Sequence, residues 1–310
     1  MKVSAGRTTV VLAASIGAAC SAAEVVREVA LETGRHLLER SITKNYGQSY
    51  KETVDRMFES VMVATLTPGK ADADRAEVVQ LASSEDFEAA PDAQEAAALL
   101  DEMEAVEAAM ALEPIELEVA VLREARVEGR YVPIELSDGD TIRDGVGRAD
   151  DGDNIKIRFE VNQQCHVYAV WVDATGWVTP IFPRSDAYSH VNPATPDLEY
   201  TLPEGSQWFF LDEHRGIENL YFVASHEAIP NLESAIEDLL GKERALQAEL
   251  DAPIPVEEPY ALMRGIGGTR EGRLSSVRTS DDRTHDVKSQ VFIAEFASSD
   301  LVITRWFRHE

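Results

Sequence analysis

Cysteine is scarce in this chain: the 310 residues hold two, Cys20 and Cys165. A disulfide framework is therefore excluded, and no Cys/His spacing resembles a zinc site. Cys165 falls in the middle of a strand-like run and reads as a small buried hydrophobe. Basic residues are also few. Lys and Arg number 29 against 56 Asp and Glu, a formal net charge of −27. A surface that acidic repels phosphate backbones and anionic headgroups, which argues against nucleic acid as a partner. It keeps a protein soluble and suits encounters with basic surfaces or divalent cations. His36, His190, His214, His226 and His285 are scattered singly and support no metal. No Ser/His/Asp arrangement stands out, and nothing in the sequence calls for a cofactor.

Long apolar runs are missing too. The longest uncharged stretch, Thr8 to Ala23, follows Lys2 and Arg7 and is too short to span a bilayer. A short positive region, an apolar segment and then small residues make a secretory signal. The end of the segment, Gly17-Ala18-Ala19-Cys20-Ser21, resembles the bacterial lipobox, in which the cysteine becomes the lipidated first residue. Gly17 departs from the pattern, which prefers Leu there. Two outcomes stay open: acylation at Cys20, or an ordinary cut after Ala19, Ala22 or Ala23. A membrane would be met only through such a lipid anchor.

Residues 24–113 are helical in pattern and acidic. Ser49 and Glu52 have the spacing of a capping box. Behind them Tyr50, Val54, Met57, Phe58, Val61 and Met62 recur at helical spacing, and Thr67-Pro68-Gly69 ends the run. Such a stripe reads as core, with a partner-docking face over Val25 to Met62 as the alternative. From Ala71 to Glu113 the composition shifts to Ala, Glu and Asp. Leu99, Met103, Val106 and Met110 form a narrow seam there.

The clearest architecture lies between Gly152 and Pro183. Ile155, Ile157, Phe159 and Val161 alternate with Lys156, Arg158 and Glu160, putting apolar groups on one sheet face and charges on the other. Cys165 to Val172 is apolar almost throughout and reads as a strand covered on both faces. Asp173-Ala174-Thr175-Gly176 is a turn, and Trp177 to Phe182 returns as the partner strand. Further strands are expected at Ile115–Val121, Tyr131–Leu136, Leu198–Leu202, Gln207–Leu211, Asn219–Ala224, Val291–Phe296 and Leu301–Phe307. A helix is expected from an Asn231 cap to Leu240, with Gly241 as its stop. Residues 251–289 read as loop-rich, with Pro, Gly, Ser and Asp. The fold class is α+β: an N-terminal helical region, then a β-sandwich-like domain with a C-terminal helix and two closing strands. The units are 1–23 (signal), 24–113 (acidic helical region) and 114–310 (β-domain).

From about Ile115 onward the chain resembles a bacterial family known only as a domain of unknown function. The residues that carry the resemblance are Asp138-Gly139-Asp140, Gly152-Asp153, Val167 to Asp173, Gly176 to Thr179, Ile181-Phe182-Pro183, Leu202-Pro203, Tyr221 to Ser225 and the ending Arg305 to His309. Members of that family occur alone in envelope proteins or fused to caspase-like peptidases and protein kinases. The resemblance implies a β-sandwich with an accessory or interaction role and brings no catalytic residues. The caspase-like and kinase signatures themselves are absent.

Local candidates for chemistry are weak. Cys165 and His166 are adjacent on a strand and point to opposite faces, so they cannot form a thiol–imidazole pair. Asp138, Asp140, Asp151 and Asp153 could offer oxygens to Ca²⁺, but the regular spacing of a calcium loop is missing and turn formation explains them. Arg264 to Thr269 could form an anion nest but follows no evident strand. The expected function is therefore that of a non-enzymatic, periplasm-facing envelope lipoprotein. Its β-domain would bind a protein partner, with the Ser185 to Pro196 loop as a contact. The alternatives are a hydrolase with an unrecognised site and a structural subunit of a secretion or surface assembly.

Overall fold

The computed structural model describes residues 35–66, 113–143, 152–184, 192–242, 244, 254–297 and 299–310. Cys20, Asp151, the seam from Leu99 to Met110 and most of the Ser185–Pro196 loop lie outside them.

Two antiparallel sheets pack face to face. The first has seven strands. Its path runs β10 (Ile266–Glu271), β13 (Gln290–Ala294), β1 (Glu116–Val127), β4 (Asn154–Val161), β7 (Tyr200–Leu202); β2 (Arg130–Glu135) pairs with β1 and β8 (Phe209–Phe210) with β4. The second has five, in the order β3 (Thr141–Ile142), β14 (Leu301–His309), β9 (Gly216–Ser225), β5 (His166–Val172), β6 (Val178–Phe182). The β3–β14 pair alone in that sheet is parallel. The second closing strand crosses back to the earlier strands: β14 pairs along its length with β9, since two closing strands alone would make only a marginal hairpin in water. Inward residues of both sheets, among them Leu117, Val119, Ile157, Phe159, Ala169, Phe222 and Ile303, form one core.

A helical layer covers the outer face of the five-stranded sheet. It comprises α1 (residues 35–46), α2 (Gln48–Leu66) and α3 (Pro230–Leu240). Leu38, Ile42, Tyr50, Val54, Met57 and Val61 pack there with Tyr168, Val170, Tyr221 and Leu232. The stripe along α2 is thus buried within its own chain. Tyr50 stacks on Trp177 with ring centroids 4.7 Å apart, and its hydroxyl accepts the Val178 N–H at 2.8 Å. Gly176, at φ +83°, sits where an added Cβ would lie 2.9 Å from Ile42, so the turn brings the sheet against α1.

Several local expectations are corrected. Ser49 is inside α2, not at its cap, because the break between α1 and α2 falls at Gly47 with φ +84°. Asn231 likewise lies inside α3, which starts at Pro230 without a side-chain cap; five strands follow this helix, so it is not terminal. Residues 251–289 are loop-rich, as read, but not loop throughout. They contain β10 and a hairpin of β11 (Ser275–Arg278) and β12 (Thr284–Val287). These strands are polar because β10 is an edge and the two strands of the hairpin bury only Val277 and Val287. The Arg264–Thr269 stretch therefore leads into a sheet edge, not an anion nest.

The alternation along β4 holds, but its charged face is not wet. Lys156, Arg158 and Glu160 are buried together with Glu118 and Glu124 of β1. The lid over them is the β11–β12 hairpin and its flanks, together with Glu199, Gly205 and Trp208. Arg158 pairs with Glu199 at 2.9 Å and lies 3.7 Å from both Glu118 and Glu160. Arg273 also pairs with Glu160, and Ser289 donates to Glu118. Lys156 donates to the Gly205 carbonyl at 2.6 Å and lies 4.9 Å from the Trp208 ring centroid. Glu124 accepts from the Ser280 N–H at 2.6 Å.

Candidate functional site

At one end of the sandwich the two sheets part around a cavity of about 220 Å³. Trp171 of β5, Thr179 to Ile181 of β6, Phe209 and Phe210 of β8 and Glu218 of β9 line it, with Asp173, Arg184, Leu211, Asp212 and Arg244 from the flanking loops. The position follows from the strands. β6 ends one sheet and β8 is a two-residue strand at the margin of the other, so no ladder closes the gap between them. Phe210 stands at 81 % exposure beside this opening.

Glu218 is the most unusual group in the lining. It is 2 % exposed and points inward from β9. Its Oε2 accepts the Trp171 indole N–H at 2.6 Å, and its Oε1 accepts the Ala174 N–H at 3.1 Å. His309 of β14, also buried, puts Nδ1 3.5 Å from Oε1. Burial pushes the Glu218 carboxyl up to about 7; the His309 contact and the indole bond act the other way, and the charge of Asp173 adds to the rise.

Asp173 organises the adjoining turn. Its Oδ1 accepts from the Thr175 N–H at 2.8 Å, the Thr175 hydroxyl at 2.7 Å and the Trp177 N–H at 3.0 Å. Its Oδ2 meets Arg244 at 2.9 Å, and the same guanidinium meets Asp212 at 2.9 Å. Burial is the main cause that moves the Asp173 carboxyl above its ordinary value, with Arg244 opposing it. Among the described lining residues Thr179 supplies the hydroxyl, and no Ser, Cys or His is present. Chemically the arrangement can exchange a proton at Glu218 and hold a small group between rings and carboxylates.

The candidates read from the sequence lie elsewhere. Cys165 is sealed in the sandwich core, where burial pushes its thiol up to about 12. His166 faces the helical layer, 3.9 Å from Glu233. Asp138 accepts from Arg305 Nε at 2.9 Å and from the Trp306 N–H at 3.1 Å, while Gly139 donates to the Trp306 carbonyl at 3.0 Å. Asp140 accepts the Ser137 N–H at 2.8 Å. Asp153 accepts from the Arg143 N–H at 3.2 Å and from Arg123 at 3.4 Å. These aspartates splice turns to strands. Among the described residues, no group of three or more His, Cys, Asp or Glu is placed to hold a metal ion.

Sequence reasoning missed Glu218, Arg244, His309 and Asp212 because they meet only through the sheet pairing. Glu218 is the one charged residue of β9, and that misplaced charge was the one available signal. Among the described residues no helix is long and apolar enough to cross a membrane.

Residues 149–228 match the family model described as a domain of unknown function (DUF4384). The resemblance read from Ile115 onward is thus carried by a narrower stretch, from β4 to the end of β9. It includes Trp171, Asp173, Phe209, Phe210, Asp212 and Glu218, whereas α1, α2, Arg244 and His309 fall outside it. No curated protein and no solved structure matches the chain.

Proposed function

We propose that this chain is a non-catalytic binding protein of the bacterial cell envelope, facing the periplasm and held to its membrane through an acylated Cys20. Its β-domain receives a protein partner or envelope component at the open end of the sandwich. The observation that carries the reading is the cleft itself. Aromatic rings surround it, Phe210 stands out at its rim, and Asp173, Arg244 and Asp212 are paired with one another rather than aimed at a reacting atom. Sites built to bind are mostly apolar with a few placed polar groups. The signal-like start and the lipobox-like Gly17 to Ser21 support the location.

The test has two arms. Intact mass and membrane partition are compared for wild type and Cys20→Ala expressed in a bacterium; an acyl mass increase and membrane partition lost only in the variant support the anchor. A photo-crosslinking residue at Phe210, in intact cells, is expected to give a discrete adduct with a defined envelope protein. Processing without acylation makes the protein soluble and secreted, and a retained Met1 in the cytosol overturns the location.

A second reading, hydrolysis, is favoured by one observation: a carboxyl with its titration near neutrality at the base of a cleft is what a general acid–base group requires. Turnover of ester, amide or glycoside substrates that is abolished by Glu218→Gln would replace the binding reading. The third, a structural subunit docking through Val25 to Met62, loses the part of that face that α2 buries.

A further inference from the structure

Glu218 lies at the base of the cleft with an incomplete set of partners. A buried carboxylate is normally paired with a cation or richly hydrogen-bonded. Here the close donors are neutral, the Trp171 indole and the Ala174 amide, and the nearest titratable cation is the His309 ring at 3.5 Å. A carboxylate has about four acceptor positions, so these contacts leave room for another donor. The guanidinium of Arg244 is already shared between Asp173 and Asp212. Counting every charged group in the lining, Asp173, Asp212 and Glu218 outnumber Arg184 and Arg244 by one carboxylate once Glu218 is ionised. The walls around this excess negative charge are the ring faces and edges of Trp171, Phe209 and Phe210. Rings attract cations through their quadrupole, most strongly when both are desolvated.

We infer that the cleft binds an alkylammonium or guanidinium group on an apolar stem, with Glu218 as its counter-ion and the aromatic rings around the stem. This rests on reading the cleft as a binding site. It adds the class of ligand: a lysine or arginine side chain of a partner, or a free amine. A cavity of about 220 Å³ has space for one such side chain. The chain's excess of acidic residues also draws cations towards it.

Binding is coupled to a proton. The free carboxyl titrates near 7, under the opposing influences of burial and Asp173 on one side and of His309 and Trp171 on the other. A cation in contact favours the ionised form, so binding expels the proton and strengthens with pH. Between pH 6 and pH 8 the affinity for an amine should rise about tenfold, the change in the ionised fraction of a group titrating at 7.

The experiment is calorimetric titration of the purified chain with benzylamine, benzyl alcohol and benzoate at pH 6, 7 and 8, in two buffers of different ionisation enthalpy. Expected are binding of benzylamine ahead of the other two, the tenfold rise with pH, and proton release at pH 7. Glu218→Gln should remove the pH dependence and most of the affinity. Because that change touches a buried group, Phe210→Ser at the exposed rim is the second variant, expected to weaken binding while keeping the pH dependence. Tighter binding of benzoate, a pH-independent affinity or no benzylamine binding at millimolar concentration overturns the inference. None of these results bears on the membrane anchor or the Phe210 adduct, so the two readings fail separately. A blocked lysyl tripeptide and cadaverine, compared in the same cell, distinguish a partner side chain from a free amine.

Discussion

The outer faces of the two sheets are both buried, and they are buried by opposite means. The five-stranded sheet presents Tyr168, Val170, Tyr221 and Val223 to three helices, and the contact is apolar on both sides. The seven-stranded sheet presents Glu118, Glu124, Lys156, Arg158 and Glu160 to a polar hairpin and its flanking loops. Glu118 stands directly opposite Glu160 across β1 and β4, a like-charge pair that is tolerable only because Arg158 and Arg273 lie against it. One cover is held by the hydrophobic effect, which is non-directional. The other depends on every charge keeping its partner, so it should fail more sharply when a single atom group is removed.

Removing Arg158 is the most severe test of that contrast. Arg158→Ala leaves Glu118 and Glu160 buried with reduced compensation, for a loss of about 3–5 kcal/mol in urea denaturation. A loss under about 1 kcal/mol would mean that water reaches this face in solution, and the contrast between the covers would collapse. On the apolar side, Met57→Ala removes a fully buried side chain between α2 and the sheet. Its expected loss is smaller, about 2–4 kcal/mol, because the neighbouring apolar groups can partly close the gap. If Met57→Ala proved the costlier of the two, packing rather than pairing would be the more demanding cover.

The same contrast shows what could be read from the chain. Alternation along Ile155 to Val161 assigned each side chain to its face correctly, and the apolar run of β5 announced a strand covered twice. Alternation does not say what lies above a face. The lid over this face comes partly from Glu199, Gly205 and Trp208 and partly from residues 272–289, more than a hundred positions away, whose strands carry too few apolar residues to announce themselves. The cleft was illegible for a related reason. Glu218, His309 and Arg244 are brought together by the β9–β14 pairing and by a loop after α3, and spacing along the sequence carries no trace of either. The Asp138 turn was legible as a turn, while its partner, Arg305, needed the parallel β3–β14 contact to appear.

Titration separates the covers without mutation of the packing. Burial lowers the Lys156 ammonium to about 8, with Glu124 opposing the shift. The unfolded chain then binds more protons than the folded one between about 8 and 10.5, so stability rises with pH across that window. The gain from pH 8 to pH 9.5 is about 1–2 kcal/mol. It is read as the difference in urea midpoint between wild type and Lys156→Met, which lacks the group. The buried tyrosines act in the opposite direction as the unfolded chain ionises near 10; stopping at pH 9.5 keeps their contribution small, and the comparison of the two proteins cancels it. A difference that stays flat across the window would show that Lys156 is hydrated, and that the charged cover is looser than the apolar one.

The smallest effect concerns where the helical cover bends. Between α1 and α2 the chain takes a left-handed conformation at Gly47, and an added Cβ there would have nothing within 4 Å. The cost of Gly47→Ala is therefore backbone strain alone, about 1–2 kcal/mol. Ser49, which by spacing alone resembles a cap, lies within α2, and Ser49→Ala should change stability by no more than about 0.5 kcal/mol. Hydrogen exchange of α1 relative to α2 is the finer measurement. If Gly47→Ala speeds exchange in α1 and leaves α2 unchanged, the joint positions one helix against Gly176 independently of the other. If instead Ser49→Ala is the more damaging change, the helix begins two residues later in solution, and the cap rather than the glycine sets the angle at which the apolar cover meets the sheet.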